Sequence, residues 1–304
     1  MNNNKVAAVV VTFNRLSLLK RCIESLRGQT EKNLDMVVVN NGSTDETEEW
    51  LMQQSDLIVI NQGNYGGSGG FYTGTKYAYD KGYEWVWMMD DDGEADIQQL
   101  EKLLLGAKRL NACYVNALVG SIEDKKGLSF AFSLNGKRID TIAEAQKQTE
   151  IRNFTAPFNG TLIHRSVIDK VGFIKKEMFI WGDEVEYTCR ISNAGFEKYT
   201  ITDALHYHPL PRNNYVRVVP FINKVRVQIA SKERGPILYR NIGYNRRYGR
   251  RRGTIYVIAI YTMYYLIRLD IKGLLSFHRY FNQGLNDEYP NVEIKIKSIK
   301  DKRE

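Results

Sequence analysis

Short apolar runs alternate with amphipathic stretches over the first hundred residues. The runs are rich in β-branched residues and end in polar or glycine residues, as in VAAVVVTF and LDMVVVNNGS. Apolar residues recur at helical spacing between them. This alternation is typical of an α/β domain with a mostly parallel central sheet. The predicted strands are residues 6–13, 34–43, 57–63 and 84–90, and the predicted helices are residues 15–29, 44–54 and 69–82.

The pattern continues, less regularly, as far as Pro211, where we place the end of the compact domain. Ser43 or Thr44 is the predicted cap of the helix at 44–54, because acidic residues fill the turn that follows. The further predicted elements are a helix at 97–110, a strand at 114–122, an irregular stretch to about residue 150, a strand and short helix at 158–172, a helix that opens at Asp183, and an extended segment at 198–211.

Composition places the chain among ordinary globular proteins. Of its 304 residues 43% are hydrophobic and 26% are charged, and there are only six prolines, which excludes disordered and collagen-like classes. The three cysteines lie far apart and read as reduced thiols of a cytosolic protein. The apolar run near the N-terminus is too short for a signal peptide and is read as the first strand.

The charge is divided unequally along the chain. Residues 212–304 carry 20 Lys and Arg against 7 Asp and Glu, whereas residues 1–211 carry 23 against 28. This asymmetry predicts a binding or catalytic body followed by a basic, mostly helical region suited to an anionic surface. That region is also a candidate for oligomerisation.

One uncharged, mostly apolar run lies inside the basic region. It extends over residues 254–267, after six arginines between Arg240 and Arg252. A membrane-spanning helix needs about 20 residues, so this run is too short to cross a bilayer unaided. Two readings stay open, namely a helix at a membrane surface and a helix buried against the rest of the protein.

Three aspartates follow the fourth predicted strand directly. In an extended or turn backbone, the carboxylates of Asp90 and Asp92 point the same way and can share a hard cation such as Mg²⁺ or Mn²⁺. A cation of this kind usually bridges a substrate diphosphate. A solvated acidic loop would give the same pattern, so the cluster alone does not decide between the two.

Two further groups of polar residues could join this cluster. Asp183 and Glu184 open a predicted helix beside Trp181, where a carboxylate is placed to act as a general base, although acids also simply cap helices. His206 and His208 alternate on an extended segment and face one side of it. Either imidazole could complete a Mn²⁺ site, and either could be structural.

The loop NQGNYGGSGG contains five glycines in ten residues. Its backbone can take positive φ angles and come close to a ligand, and Asn64 and Gly67 are the residues we select there. The spacing is not that of a dinucleotide fingerprint, and the loop does not follow the first strand. A flexible connection between strand and helix is the alternative.

Six motifs in order resemble family-2 glycosyltransferases, which have the nucleotide-sugar-binding GT-A fold. They are VVVTFNR, VVVNNGSTDET, NYGGSGGF, MMDDD, FIWGDEVEYTCR and HYHP, and they cover about residues 5–210. GGSGGF, WGDEVEY and the later YRNIGYNRRY are similar to the galactofuranosyltransferase and rhamnosyltransferase branch. The resemblance implies a nucleotide-binding half at about residues 1–95 and an acceptor-binding half at about 96–211.

The resemblance also implies roles for single residues. The general base that deprotonates the acceptor in an inverting transfer would be Glu184, with Asp183 as the second choice. Asn40 and Asn41 stand where many relatives have two aspartates, and Glu184 stands where many have aspartate. The implied metal ligands for Mn²⁺ or Mg²⁺ are Asp90, Asp92 and His208, and the implied donor-binding residues are Thr12, Asn14, Arg15, Asn41, Asp45, Asn64, Gly67 and Asp91.

The expected partners follow from the same resemblance. The donor would be a UDP- or dTDP-linked sugar, with galactofuranose or a rhamnose-like sugar to transfer. The acceptor would be a growing cell-surface glycan, free or carried on polyprenyl diphosphate. We expect a cytoplasmic enzyme, peripheral at an anionic membrane face, with no nucleic-acid partner, and homo-oligomerisation is left open. The rival readings are a nucleotidyltransferase, whose usual glycine-rich loop after the first strand is missing, and a non-catalytic glycan-assembly or nucleic-acid-binding protein.

Overall fold

A computed structural model describes residues 5–211, 215–221, 224–249 and 253–290. The chain forms two compact units, Met1–Arg212 and Asn213–Glu304, which we call unit 1 and unit 2. The strands are β1 Val6–Thr12, β2 Leu34–Asn40, β3 Leu57–Asn61, β4 Trp85–Asp90, β5 Glu94–Ala95, β6 Tyr114–Ser121, β7 Gly127–Leu134, β8 Lys137–Thr141, β9 Glu150–Arg152, β10 Thr161–His164, β11 Tyr199–His208, β12 Tyr215–Arg217 and β13 Arg226–Gln228. The helices are α1 Leu16–Arg27, α2 Thr47–Met52, α3 Gly66–Asp80, α4 Gln99–Leu110, α5 Ile142–Ala145, α6 Arg165–Val171, α7 Asp183–Asn193, α8 Gly235–Tyr244, α9 Thr254–Ile267 and α10 Ile271–Leu285.

Unit 1 is built on one mixed sheet. Its strand order is β3-β2-β1-β4-β10-β6-β11-β5, and the first four strands run parallel. β10 is antiparallel to β4 and β6, and β11 is again parallel to β6. This confirms the α/β fold with a mostly parallel centre that the alternating pattern predicts.

Helices cover both faces of the sheet. Every residue of β1 is buried, and its alternate side chains enter two different cores. The core that contains Val10 is completed by α1, α2 and α4, and the core that contains Val9 by α3, α6 and α7. A strand covered on both faces must be apolar at nearly every position, which explains the continuous run VAAVVV.

The carboxyl ends of several strands meet along one edge of the sheet. Thr12 pairs in register with Asn40, and Asn40 with Asn61. Asp90 pairs with Val11, one residue before the end of β1. Since β11 runs in the same direction, His208 ends at this edge as well. The fold therefore gathers the polar strand ends that the sequence separates.

Three local expectations differ from the structure. The stretch before residue 150 is regular, because β7, β8, α5 and β9 enclose a small core of their own. α2 begins at Thr47, so the predicted cap at Ser43 or Thr44 is wrong. The Ser43 hydroxyl instead accepts a hydrogen bond from the backbone N–H of Asn14. α3 begins at Gly66, so the second half of the glycine-rich loop is helical.

Unit 2 consists of α8, α9 and α10 with the small sheet β12–β13, and its core is aromatic. The rings of Tyr261 and Phe277 stack with centroids 4.5 Å apart, and Tyr239 meets both edge-on. α8 and α10 approach closely at two glycines, where a Cβ on Gly243 or Gly284 would overlap the other helix. Among the described residues, no helix has the length and apolar character that crossing a membrane requires.

Candidate active site

The turn that follows β4 holds Asp91 firmly in the protein. The Thr12 hydroxyl donates a hydrogen bond of 2.7 Å to Asp91 Oδ2, and Arg15 Nη1 lies 3.2 Å from Asp91 Oδ1. Burial raises the pKa of Asp91 to about 6, although Arg15 and the Thr12 hydroxyl lower it in part. Asp91 therefore fixes the turn against β1, and its two neighbours remain for other contacts.

Asp92 joins the end of β11 to this turn. Its Oδ1 lies 3.2 Å from His208 Nε2, and its Oδ2 lies 3.0 Å from Arg15 Nη1. Burial would raise the pKa of Asp92, but His208 and Arg15 lower it overall. Conversely, burial lowers the pKa of His208, while the Asp92 carboxylate more than offsets this and raises it. The two groups form an ion pair when no cation is present.

Asp90, Asp92 and His208 form a group that fits a divalent cation. One ligand atom from each residue can be chosen so that all three lie within 4.8 Å of one another. His208 Nδ1 lies 2.7 Å from the carbonyl oxygen of Pro209, to which it donates, and this leaves Nε2 directed at the acids. Two carboxylates and one imidazole suit Mn²⁺ or Mg²⁺ better than a soft metal. Burial and the charge of Asp92 raise the pKa of Asp90 to about 7.

His206 lies deeper, beneath the same turn. It is fully buried, and its Nδ1 lies 3.2 Å from Gln99 Oε1. A Cβ on Gly93 would fall 2.2 Å from His206 Nε2, so the chain directly after Asp92 rests on this ring. Burial lowers the pKa of His206 to about 3, which keeps the imidazole neutral. Of the two candidate histidines, only His208 belongs to the cluster with the aspartates among the described residues.

The glycines of the loop before α3 have two different surroundings. Gly66 has φ +70°, and a Cβ there would lie 2.0 Å from the carbonyl oxygen of Phe179. Gly70 is pressed against Val11 on β1, where a Cβ would come within 2.3 Å of a methyl group. A Cβ on Gly67, in contrast, would meet nothing within 4 Å. Close protein packing requires glycine at 66 and 70, and Gly67 is the position that is open to a ligand.

Asn41 and Asn64, which the sequence analysis also selects, form hydrogen bonds with the glycine-rich loop. Asn41 is buried; its Nδ2 donates to the carbonyl oxygen of Gly66, and its Oδ1 accepts from Gln62 Nε2 at 2.7 Å. Asn64 Oδ1 accepts from the Gly66 N–H. The side chain of Asn41 is thus occupied in holding the glycine loop.

Asn14 and Asp45 stabilise the neighbouring loops. Asn14 takes φ 53° and its Oδ1 accepts from the Thr44 N–H at 2.7 Å, which links the ends of β1 and β2. Asp45 is exposed, and its Oδ1 accepts from the Thr47 N–H at the start of α2. The structure thus brings Thr12, Arg15 and Asp91 together directly, and Asn14 and Asp45 lie on the adjoining loops.

The second acidic pair differs in exposure. Asp183 is 6% exposed, and burial together with the charge of Glu184 raises its pKa well above its usual range. Glu184 is half-buried at the start of α7, and its Oε2 accepts from the Gly182 N–H at 2.9 Å. Glu186 is held by Arg190 at 2.5 and 2.8 Å and is therefore engaged within the protein. Of these three acids, Glu184 is the one that is neither fully buried nor paired with Arg190.

Two contacts at the site escape sequence reasoning. The Ser68 N–H donates to the carbonyl oxygen of Phe179, which joins the glycine loop to the segment before Glu184. Phe130 on β7 packs 5.6 Å from the His208 ring. The repeated positive φ angles at Phe179, Trp181 and Gly182 mark a tightly shaped segment. Only the glycine at 182 could have indicated it from the sequence.

Comparison with known proteins agrees with this geometry. Residues 7–172 match the model of the family described as glycosyl transferase family 2. The galactofuranosyltransferase GlfT1 of Mycobacterium tuberculosis (strain ATCC 25618 / H37Rv) is 32% identical over 212 residues, which cover 67% of this chain and 70% of that protein. The dTDP-rhamnosyl transferase RfbF of Shigella flexneri is 25% identical over 220 residues, or 68% of this chain and 70% of its own length.

A solved structure shares the fold. The crystal structure of S. aureus TarS 1–349 in complex with UDP has a TM-score of 0.52 at 15% identity and covers 92% of both chains. This likeness supports the GT-A type of α/β fold. The family match over more than half of the chain, together with the two relatives, shows the family as well as the fold. The chain belongs to glycosyltransferase family 2 and is a glycosyltransferase.

Proposed function

We propose that the protein is an inverting, metal-dependent glycosyltransferase that moves galactofuranose, or a rhamnose-like sugar, from a nucleoside diphosphate to a growing glycan. The observation that carries the proposal is the group of Asp90, Asp92 and His208 at the sheet edge where β1, β2 and β4 end. The relatives described as galactofuranosyl and rhamnosyl transferases support the choice of sugar.

Residues around the turn would bind the donor. Arg15 is half-exposed beside Asp91 and Asp92, so its remaining N–H groups are available to the diphosphate. Gly67 leaves space for the donor at the start of α3, because a Cβ there would meet nothing within 4 Å. A cation bound by Asp90, Asp92 and His208 would supply positive charge against the leaving diphosphate.

Glu184 would act as the general base. Its carboxylate takes the proton of the acceptor hydroxyl while that oxygen forms a bond to the anomeric carbon. The bond from that carbon to the diphosphate oxygen breaks on the opposite side, so the anomeric configuration is inverted. Asp183, whose pKa is raised by burial and by the charge of Glu184, would position Glu184 and leave the proton transfer to it.

We further propose that the acceptor glycan is carried on polyprenyl diphosphate. Residues 212–304 contain 20 basic and 7 acidic residues, and this positive charge supports an acceptor that carries negative charge. A soluble glycan of the same sequence would be the weaker substrate if this is correct.

Donor turnover tests the proposal directly. The purified chain is incubated with a polyprenyl-diphosphate-linked glycan acceptor and with UDP-galactofuranose, UDP-galactopyranose or dTDP-rhamnose, with and without Mn²⁺, and release of the nucleoside diphosphate is measured. We expect metal-dependent release from one furanose or deoxysugar donor, lost in Asp92→Ala and kept in Asp80→Ala, an exposed control on α3. Release without metal, or a transferred sugar of retained configuration by NMR, would contradict the mechanism.

A further inference from the structure

Helix α9 has two apolar faces, and only one of them is covered by the protein. No charged residue occurs between Thr254 and Ile267. Val257, Tyr261, Tyr264 and Tyr265 are buried in the aromatic core of unit 2. The side chains on the opposite side of the helix are exposed, namely Ile255, Tyr256, Met263, Leu266 and Ile267.

The turn after α9 and the start of α10 also carry exposed apolar side chains. Leu269 and Ile255 are each 84% exposed, and Ile271 and Leu275 extend the surface along α10. Eight of the seventeen exposed large apolar side chains among the described residues lie between 255 and 275, so they are concentrated in one region. Exposed apolar side chains concentrated in one region in this way mark a site of interaction. We call these eight residues the α9–α10 face: Ile255, Tyr256, Met263, Leu266, Ile267, Leu269, Ile271 and Leu275.

Basic residues adjoin this face. Lys272 and Arg279 are exposed on α10 three residues before and four residues after Leu275, which places them beside it on the same side of the helix. Arg268 ends α9 and lies 3.9 Å from the ring centre of Tyr264. Asp270, the acid closest in sequence, caps α10 by accepting from the Gly273 N–H. The surroundings of the α9–α10 face are therefore positive.

We propose that the α9–α10 face docks on the surface of an anionic lipid bilayer. The apolar side chains enter the boundary between headgroups and acyl chains, and Lys272 and Arg279 meet the phosphates. α9 is about 21 Å long at 1.5 Å per residue, so it lies along the surface and does not cross the bilayer. A second copy of the chain would bring two basic surfaces together, which is why lipid is the favoured occupant.

This inference does not depend on the sugar or on the proposed mechanism. It is tested by sedimentation of the full chain with vesicles of phosphatidylcholine alone and of phosphatidylcholine mixed with phosphatidylglycerol. We expect binding to the anionic vesicles, weakened by salt. In the double variant Ile255→Glu/Leu269→Glu, binding should fall by at least about tenfold, because two apolar anchors become acids.

A matched control separates insertion from net charge. Met52→Glu/Leu105→Glu changes the charge by the same amount at two exposed apolar positions of unit 1. We expect this control to bind vesicles nearly as well as the parent chain, and all three proteins to have the same melting temperature.

Three outcomes would overturn the proposal. Equal loss in both double variants would show that only charge matters. Equal binding of the parent chain to neutral and anionic vesicles would exclude an anionic surface as the partner. If light scattering shows a dimer that Ile255→Glu/Leu269→Glu converts to a monomer, with vesicle binding unchanged, the face is an interface between copies.

Discussion

Unit 1 and unit 2 use charge and apolar surface in opposite ways. In unit 1 the apolar residues are enclosed between helices, and the acids gather at one sheet edge, where Asp91 is buried against Thr12 and Arg15. In unit 2 aromatic rings fill the core, while the α9–α10 face remains exposed among basic residues. The first arrangement costs folding energy, since carboxylates are removed from water. The second leaves apolar surface in water until something covers it.

The difference teaches where function is expected. Carboxylates placed close together and partly buried are poised for a cation or a proton transfer. An apolar helix face beside lysine and arginine is suited to a surface of lipid phosphates. If each unit has its own task, changes in one should leave the measured property of the other intact.

The largest effect is expected for Glu184→Gln in unit 1. Loss of the general base should lower the transfer rate by about 10²–10⁴-fold, because no carboxylate remains to take the proton of the acceptor hydroxyl. Vesicle binding should not change. Glu177→Gln, an exposed substitution of the same kind just before this segment, serves as the control and should keep full activity. If Glu184→Gln transferred sugar at the parental rate, the general base would have to be another residue.

The second prediction compares two adjacent glycines. Gly66→Ala should destabilise the fold by about 1–3 kcal/mol, because its Cβ would overlap the Phe179 carbonyl at positive φ. Gly67→Ala should leave stability unchanged or raise it by about 0.4–1 kcal/mol, since the site is open.

Donor binding distinguishes the two substitutions further. If the diphosphate approaches Gly67, the KM for the donor should rise in Gly67→Ala although the protein is no less stable. Denaturant unfolding and steady-state kinetics measure the two quantities. An unchanged KM would remove Gly67 from the donor site.

The third prediction concerns pH and the metal group. The pKa of Asp90 is raised to about 7 and that of His208 is raised, so both hold protons more tightly in the folded chain. Their contribution to stability is present at low pH and is lost as pH rises through these values. The metal-free protein should lose stability between about pH 5 and pH 8.

A cation should reverse this trend. Mn²⁺ replaces the protons, so the rise in melting temperature that it produces should grow from pH 5 to pH 8. Asp90→Asn should stabilise the metal-free protein at pH 8, raising its free energy of unfolding by about 1 kcal/mol or more and therefore its melting temperature. The same substitution should abolish the effect of Mn²⁺. A Mn²⁺ effect that is independent of pH would contradict the ligand assignment.

The smallest effect is expected when substitutions in unit 2 are tested for their influence on stability and turnover. Ile255→Glu/Leu269→Glu should change the free energy of unfolding by no more than about 0.5 kcal/mol, because both side chains are exposed. Its turnover with a soluble acceptor should equal that of the parent chain. A large loss of turnover would show that the two tasks are coupled.

Much of the fold can be predicted from the sequence. The four apolar runs are β1 to β4 within three residues, and the uncharged run at 254–267 is α9 at both ends. These elements are buried on both faces or uniformly apolar, so their pattern is strong. The prediction of an irregular stretch before residue 150 is wrong because β7 and β8 are antiparallel strands whose stability comes from a small separate core, which no local pattern reveals.

The site can be predicted only in part. The residue types and their order lead to Asp90, Asp92 and His208, since alternation along a chain fixes which side chains share a side. The alternating pattern alone does not distinguish His206, buried under Gly93, from His208, and only the family resemblance selects His208. Asn41 is selected as a ligand contact, yet its amide is used by the glycine loop. Contacts between distant loops decide both cases.

By itself the sequence determined the parallel α/β core, the acids at the strand ends and the division of charge, because hydrophobic period and residue type act locally. Only the tertiary structure decided which acids lie together, which glycines are required by packing and which face of α9 stays exposed. Those properties depend on the register of strands far apart in the chain and on how completely each helix is covered, and no local pattern contains either.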